Sequence, residues 1–197
     1  MIAALFVMTD GPYFGLDGVD PFDVTRDAFT YNGPHKVIAH PPCQLWGKFA
    51  AVNFIRWGGS HNRPGNDRGA FAFALQAVRT HGGVLEHPAF SHAWDTFRLV
   101  KPQIPGWNKV SETEYVCEVW QNAYGHKARK RTWLLYVSLV GKPPFNLNWA
   151  REPGEMQIGF PDKRGKEKNK PTLSGKSASE TPTAFRDLLI ELVKGSE

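Results

Sequence analysis

Cysteine is scarce in this chain. Cys43 and Cys117 are the only two in 197 residues, 74 positions apart. That excludes a disulfide framework and a close cysteine pair on a metal, and it fits a reducing cytosol. Long apolar runs are missing too: nothing approaches the roughly 20 residues of a membrane span, so no membrane partner is expected. The opening Met1-Ile2-Ala3-Ala4-Leu5-Phe6-Val7 has neither a basic leader nor a cleavage site, which makes it a first strand rather than a signal peptide. No G-x-G-x-x-G phosphate cradle occurs ahead of Cys43. The acids Asp17, Asp20, Asp23 and Asp27 match no calcium-loop spacing and read as loop and cap residues, with no metal expected. Charge of neither sign dominates. A formal +5 and a pI near 9.2 permit an anionic partner without requiring one.

What is present is a globular composition, 41% hydrophobic and 22% charged, of a length that one domain spanning residues 1–197 accommodates. Residues 2–8 form an apolar strand closed by the turn Thr9-Asp10-Gly11-Pro12, which places Asp10 either as a turn former or toward a ligand. Residues 15–23 read as a loop rich in glycine and acid. Lys36 to Ala39 is a strand that runs into His40-Pro41-Pro42-Cys43-Gln44. The two prolines fix their own φ angles and stiffen the turn that presents Cys43. A thiol at the carboxyl end of a sheet strand is how α/β enzymes place a nucleophile; the alternative is a buried structural thiol.

Residues 49–57 predict a helix, 58–67 a polar loop whose His61 and Arg63, with Arg68, suit a phosphate or plain solvent, and 68–80 a second helix. Val84-Leu85 is a short strand leading into Glu86-His87-Pro88, a carboxylate again stiffened by proline. In a parallel sheet Glu86 emerges on the same ligand side as Cys43. Residues 96–112 read as loop, and 115–122 alternate as a strand with Cys117 as a packing residue. Then Tyr124-Gly125-His126-Lys127-Ala128-Arg129-Lys130-Arg131 enters the apolar strand 132–140. Alternation puts Arg129 and Arg131 on one face, suited to a phosphate or a base carbonyl. Residues 141–180 are a basic surface loop, mobile on this reading, and Ser179-Glu180-Thr181-Pro182 caps a last helix over 183–193. The expected architecture is α/β, with a Rossmann-like, mostly parallel sheet flanked by helices.

Three of these stretches, in this order, resemble the DNA cytosine-C5 methyltransferase family. Its Pro-Cys-Gln turn is similar to Pro42-Cys43-Gln44. Its strand-end Glu-Asn-Val keeps the Glu in Glu86-His87-Pro88. Its Gln-x-Arg-x-Arg after Tyr-Gly is similar to Lys127-Ala128-Arg129-Lys130-Arg131 after Tyr124-Gly125. The resemblance covers roughly residues 25–140 and looks like a shortened relative of the kind carried by phages. It implies a catalytic set of Cys43, Glu86, Arg129 and Arg131, with Pro42, Gln44, His87 and Lys127 against the base. Cys43 adds to C6, Glu86 meets the N3 edge, and the arginines hold the carbonyl and orient Glu86. It also implies S-adenosylmethionine near Asp10, Gly11, Thr181 and Pro182, DNA or a pyrimidine nucleotide as substrate, and a cytoplasmic setting. Because the family's glycine loop is missing from the 42 residues before Cys43, a partner subunit or a second copy completing the cofactor site is a close variant. Two other expectations stand beside it: a non-catalytic nucleic-acid-binding protein of the same fold, and a cysteine hydrolase using Cys43 with His40 or His87.

Overall fold

The computed structural model describes residues 1–47, 49–103, 105–151, 153–158, 170–173 and 175–196. In chain order the strands of the main sheet are β1 (Ile2–Leu5), β2 (Val19–Phe22), β3 (Lys36–Ala39), β4 (Gly83–Pro88), β5 (Asn108–Lys109), β6 (Glu114–Trp120) and β7 (Arg131–Val137). The helices are α1 (Ala50–Trp57), α2 (Ala70–His81), α3 (His92–Thr96), α4 (Gly175–Ser179) and α5 (Thr183–Lys194). A separate two-stranded parallel ribbon joins β8 (Gln157–Ile158) to β9 (Thr172–Leu173).

The main sheet runs β2-β1-β3-β4-β7-β6-β5. Its first four strands are parallel, and β4–β7, β7–β6 and β6–β5 are antiparallel pairs. The expected mostly parallel sheet is therefore parallel over one half only. The physical reason lies in the connections. β3 and β4 are joined through α1 and α2, long enough for a crossover, whereas β6 and β7 are joined by a short turn that reverses the chain.

Strand alternation builds two cores and a single compact domain. Leu5, Val37, Ala39, Leu85, Trp133 and Leu135 pack on Phe71, Ala74 and Val78 of α2. Ile38, Val84, Leu134 and Tyr136 pack on Phe185, Leu189 and Leu192 of α5 from the other face. Each fully buried Leu or Phe contributes about 2 kcal/mol by area removed from water. Gly83 starts β4 at φ 129°, where a Cβ would lie 1.9 Å from the Val37 carbonyl oxygen. Only glycine lets the two strands approach there.

Several boundaries moved. β1 stops at Leu5 because Phe6 takes φ 58°. Residues 19–22, expected as loop, are an edge strand. Pro21 sits in it, a position where an edge strand tolerates the missing N–H. The 96–112 stretch holds β5, and the 141–180 stretch holds β8, β9 and α4. The basic run Asp162–Asn169 lies outside the described residues. Helix α5 starts at Thr183, with Pro182 at its N-cap and no side-chain capping bond, so the expected side-chain cap from Ser179-Glu180-Thr181-Pro182 is not made. Among the described residues no helix is long and apolar enough to cross a membrane.

Candidate active site

β1 has β2 on one side and β3 on the other, so the chain leaves the carboxyl ends of β1 and β3 in opposite directions. Open α/β sheets hold ligands in the crevice at such a switch point. Cys43 lies here. The His40 amide donates to the Leu5 carbonyl at 3.0 Å, tying the turn to the end of β1. The amides of Trp46 and Gly47 both donate to the Cys43 carbonyl, at 3.1 and 3.0 Å. Trp46 is buried, and its indole N–H donates to Asp67 at 2.8 Å. The thiol is thus presented from a backbone fixed at both ends.

Alternation along β3 and β4 decides what meets it. Ile38 and Val84 belong to the α5-side core, so His40 and Glu86, two residues further on in each strand, emerge on that same side. His40 Nδ1 lies 3.0 Å from Glu86 Oε2, and its Nε2 lies 2.8 Å from the hydroxyl of Tyr13. The Gln121 amide donates to Glu86 Oε1 at 3.0 Å and to Thr132 Oγ1 at 2.9 Å. Glu86 is 7% exposed and Tyr13 1%. Burial alone would raise the Glu86 carboxyl. The hydrogen bond and charge of His40, with Lys130 and His87, more than reverse this and bring it down to about 2. The Cys43 thiol is half-buried and raised, first by burial and then by the negative charge of Glu86, with Lys130 opposing. The Glu86 charge thus acts on the Cys43 thiol.

The arginines are placed differently. Arg131 lies in register with Trp133 and Leu135, on the α2 side of the sheet, across from Glu86. Its Nε and a terminal nitrogen donate to Glu118 at 2.9 and 3.0 Å, and the indoles of Trp120 and Trp133 donate to the same carboxylate. Its guanidinium lies 4.4 Å from the Phe90 ring. Arg129 shares that face, 5.2 Å over Trp120. The expected shared face holds for the pair, but it is the wrong face for orienting Glu86. Lys130, between them, is the cation that acts on Glu86 and Cys43. Its ammonium also donates to the carbonyls of Ser179 and Glu180.

His87 also departs from the expected place against the base. It is fully buried on the α2 side between Phe71 and Trp94, ring centroids 5.1 and 6.4 Å away. Burial lowers it to about 4, against the opposing pull of Glu86, the Pro42 carbonyl and Asp67, so it stays neutral. Pro42 and Gln44 are exposed on the Cys43 turn, and Lys127 is exposed in the approach to β7.

A cavity of about 970 Å³ opens at the carboxyl ends of β1, β2 and β3, lined by Met8, Thr9, Gln44, Asn53, Leu173 and Ser179 among others. It has room for a drug-sized ligand. Asp10, Gly11, Thr181 and Pro182 do not line it; their neighbours Met8, Thr9, Ala178 and Ser179 do. Asp10 and Gly11 close a turn in which the Gly11 amide donates to the Met8 carbonyl. S-adenosylmethionine carries an ammonium, a sulfonium and a ribose diol, each calling for an acceptor. Among the described residues no carboxylate lines the cavity. The nearest candidate, Asp23 after β2, accepts from the Thr9 and Thr25 hydroxyls and from the amides of Thr25 and Arg26. Led by the Thr9 hydroxyl, those bonds hold its carboxyl well below the usual range. These residues do not fit the methyl donor, and no step is derived through it. Among them, too, no cluster of His, Cys, Asp or Glu has a metal-site arrangement.

Tyr13, Gln121 and Lys130 are the site residues that pattern reading missed. Of these, Lys130 was legible: it alternates with Arg129 and Arg131, so a face assignment for one fixes the other. Compared with protein-family models, curated proteins and solved structures, the chain gives no match.

Proposed function

We propose that this protein is a pyrimidine-modifying enzyme in which the Cys43 thiolate adds to C6 of the base while Glu86 engages the N3 edge. The observation that carries the reading is the placement of Cys43 on the switch-point turn whose His40 lies 3.0 Å from Glu86, a carboxylate also held by Gln121. The parallel half of the sheet and its switch point support a Rossmann-like ancestry for this arrangement.

The chemistry follows from the groups. The thiol proton leaves to solvent, sulfur bonds to C6, and the C5–C6 electrons shift through the ring as N3 takes a proton from Glu86. C5 is now enamine-like and accepts an electrophile. With a solvent proton as that electrophile, loss of the original H5 and cleavage of the S–C6 bond restore the base with H5 exchanged. A base within a duplex must first be extruded. Exposed Trp57, with Arg56 4.9 Å from its ring, and exposed Arg63 and Arg68, in the stretch of chain that follows the turn, suit a nucleic-acid strand.

The hydrolase alternative has less to stand on. Both ring nitrogens of His40 are engaged, and His87 is buried on the opposite face, so neither imidazole is available to activate Cys43. The test is release of tritium from C5-labelled cytosine and uracil, in oligonucleotides and in free nucleotides, without a methyl donor. Release that disappears in Cys43→Ala supports the reading. Its absence from every pyrimidine, with folded protein, overturns it and favours the non-catalytic binding protein.

A further inference from the structure

Glu86 poses a problem that the proposed chemistry does not by itself solve. To donate to N3 it must carry a proton, yet its surroundings keep it a carboxylate, and that same charge opposes ionisation of Cys43. The expected arginine partner would make this permanent, since a guanidinium has no proton to give at working pH. The structure puts an imidazole there instead. Taking the pyrimidine reading as its basis, we propose that His40, held between Tyr13 and Glu86, is a positioning residue that passes its Nδ1 proton to Glu86 when the base enters.

The geometry carries the argument. A carboxylate only accepts, so the 3.0 Å contact means that His40 Nδ1 bears the hydrogen. At Nε2 the ring meets, among the described residues, the Tyr13 hydroxyl, at 2.8 Å. Tyr13 is buried, and burial, then Glu86, push its own ionisation well upward against Arg186, so it stays an O–H and does not drain the relay. The ring is therefore fixed in plane by two partners, with one axis for proton movement.

The step balances. The His40 imidazolium, with Nε2–H donated to the Tyr13 oxygen, gives its Nδ1 proton to Glu86 Oε2, leaving a neutral ring protonated at Nε2. Glu86 then gives a proton to N3, and the reverse sequence follows elimination of the thiolate. Only protons move. Because the transfer neutralises Glu86, it also removes the charge that opposes the Cys43 thiolate, so donation and nucleophile activation arrive together. The titratable and charged groups around the relay are Glu86 and His87 on β4, Tyr13 and the Arg186–Asp187 pair of α5 that acts on it, Lys130 ahead of β7, and Cys43 on the same turn as His40. Gln121 and Thr132 complete it without charge.

The experiment is the pH profile of C5 tritium exchange in wild type, His40→Gln and Tyr13→Phe, joined to ¹⁵N-imidazole NMR of the unliganded protein and its Glu86→Gln variant. Wild-type exchange falls as pH rises, because the imidazolium that supplies the proton is lost. His40→Gln, which keeps a hydrogen bond to Glu86 but has no proton to give, is about 100-fold slower at low pH and loses that limb. Tyr13→Phe moves the limb to lower pH, because Nε2–H of the imidazolium has lost its acceptor. A histidine that merely supports the turn predicts uniform slowing with the limb intact, and that result overturns the proposal. The NMR arm stands apart from turnover: Glu86→Gln must change the His40 Nδ1–H resonance, because that hydrogen loses its carboxylate acceptor. If no pyrimidine shows exchange, the functional reading fails, and the NMR spectrum alone decides the His40–Glu86 pair. A His40 ring spectrum that Glu86→Gln leaves unchanged overturns it.

Discussion

Replacing Glu86 by Gln has a consequence whose size and pH dependence follow from the site. Glu86 falls from an ordinary 4.5 to about 2 in the folded protein because His40, Lys130 and His87 outweigh its burial. At roughly 1.36 kcal/mol per pH unit, that displacement is worth about 3 kcal/mol of folding stability. The folded-state value is depressed, so the contribution is fully present above the ordinary value of 4.5. It is lost as pH falls through the interval down to about 2. The side chain is almost fully buried, so solvent screening does not reduce the figure much. Urea unfolding of wild type and Glu86→Gln at intervals from pH 7 to pH 2.5 reads it directly. The variant is less stable by about 3 kcal/mol at pH 6 to 7, and the gap closes on acidification below about 4. A gap that is constant across pH, or that widens in acid, refutes the electrostatic account of Glu86 and reduces its role to shape.

The same geometry makes three further predictions. Iodoacetamide at pH 7 alkylates Cys43 more slowly than a free thiol, and Glu86→Gln speeds it several-fold because the charge raising the thiol is gone; mass mapping checks this, and buried Cys117 stays unlabelled in the folded state. Arg131→Met strands the buried Glu118 carboxylate, lowering stability by about 3 kcal/mol while leaving Cys43 reactivity unchanged, whereas Lys130→Met reverses the pattern. Gly83→Ala places a Cβ against the Val37 carbonyl and destabilises by about 3 kcal/mol or more, read as a loss of folded yield or a lowered Tm.

The fold was legible where pattern is local. The apolar runs in β1, β3 and β7, the α2 stripe and the final helix all lie within a few residues of where periodicity places them. The edge strand Val19–Phe22 was hidden because Asp20 and Pro21 are strand-averse residues, tolerated only because one side of that strand lacks a partner. The antiparallel half was hidden because pairing direction depends on connection length rather than on strand composition. In the site, proline stiffening marked Cys43 and Glu86, and the Glu86 charge acts on the Cys43 thiol. The arginines illustrate the opposite case. Alternation relates Arg129, just ahead of β7, to Arg131 at its start, but which face of the sheet they share is set by the β4–β7 register, a long-range pairing absent from local sequence. Tyr13 comes to His40 from 27 residues away along an irregular connection, and no period announces it.

The central claim is that Cys43 attacks a pyrimidine C6. Oligonucleotides carrying a 2-pyrimidinone base, single- and double-stranded, trap such a thiol without needing a C5 electrophile. Intact-mass spectrometry after denaturation, with and without S-adenosylmethionine, measures the adduct. The account predicts a denaturation-resistant adduct on Cys43, absent in Cys43→Ala, slowed in His40→Gln and indifferent to the methyl donor. A folded wild-type protein that binds these strands and forms no adduct contradicts it.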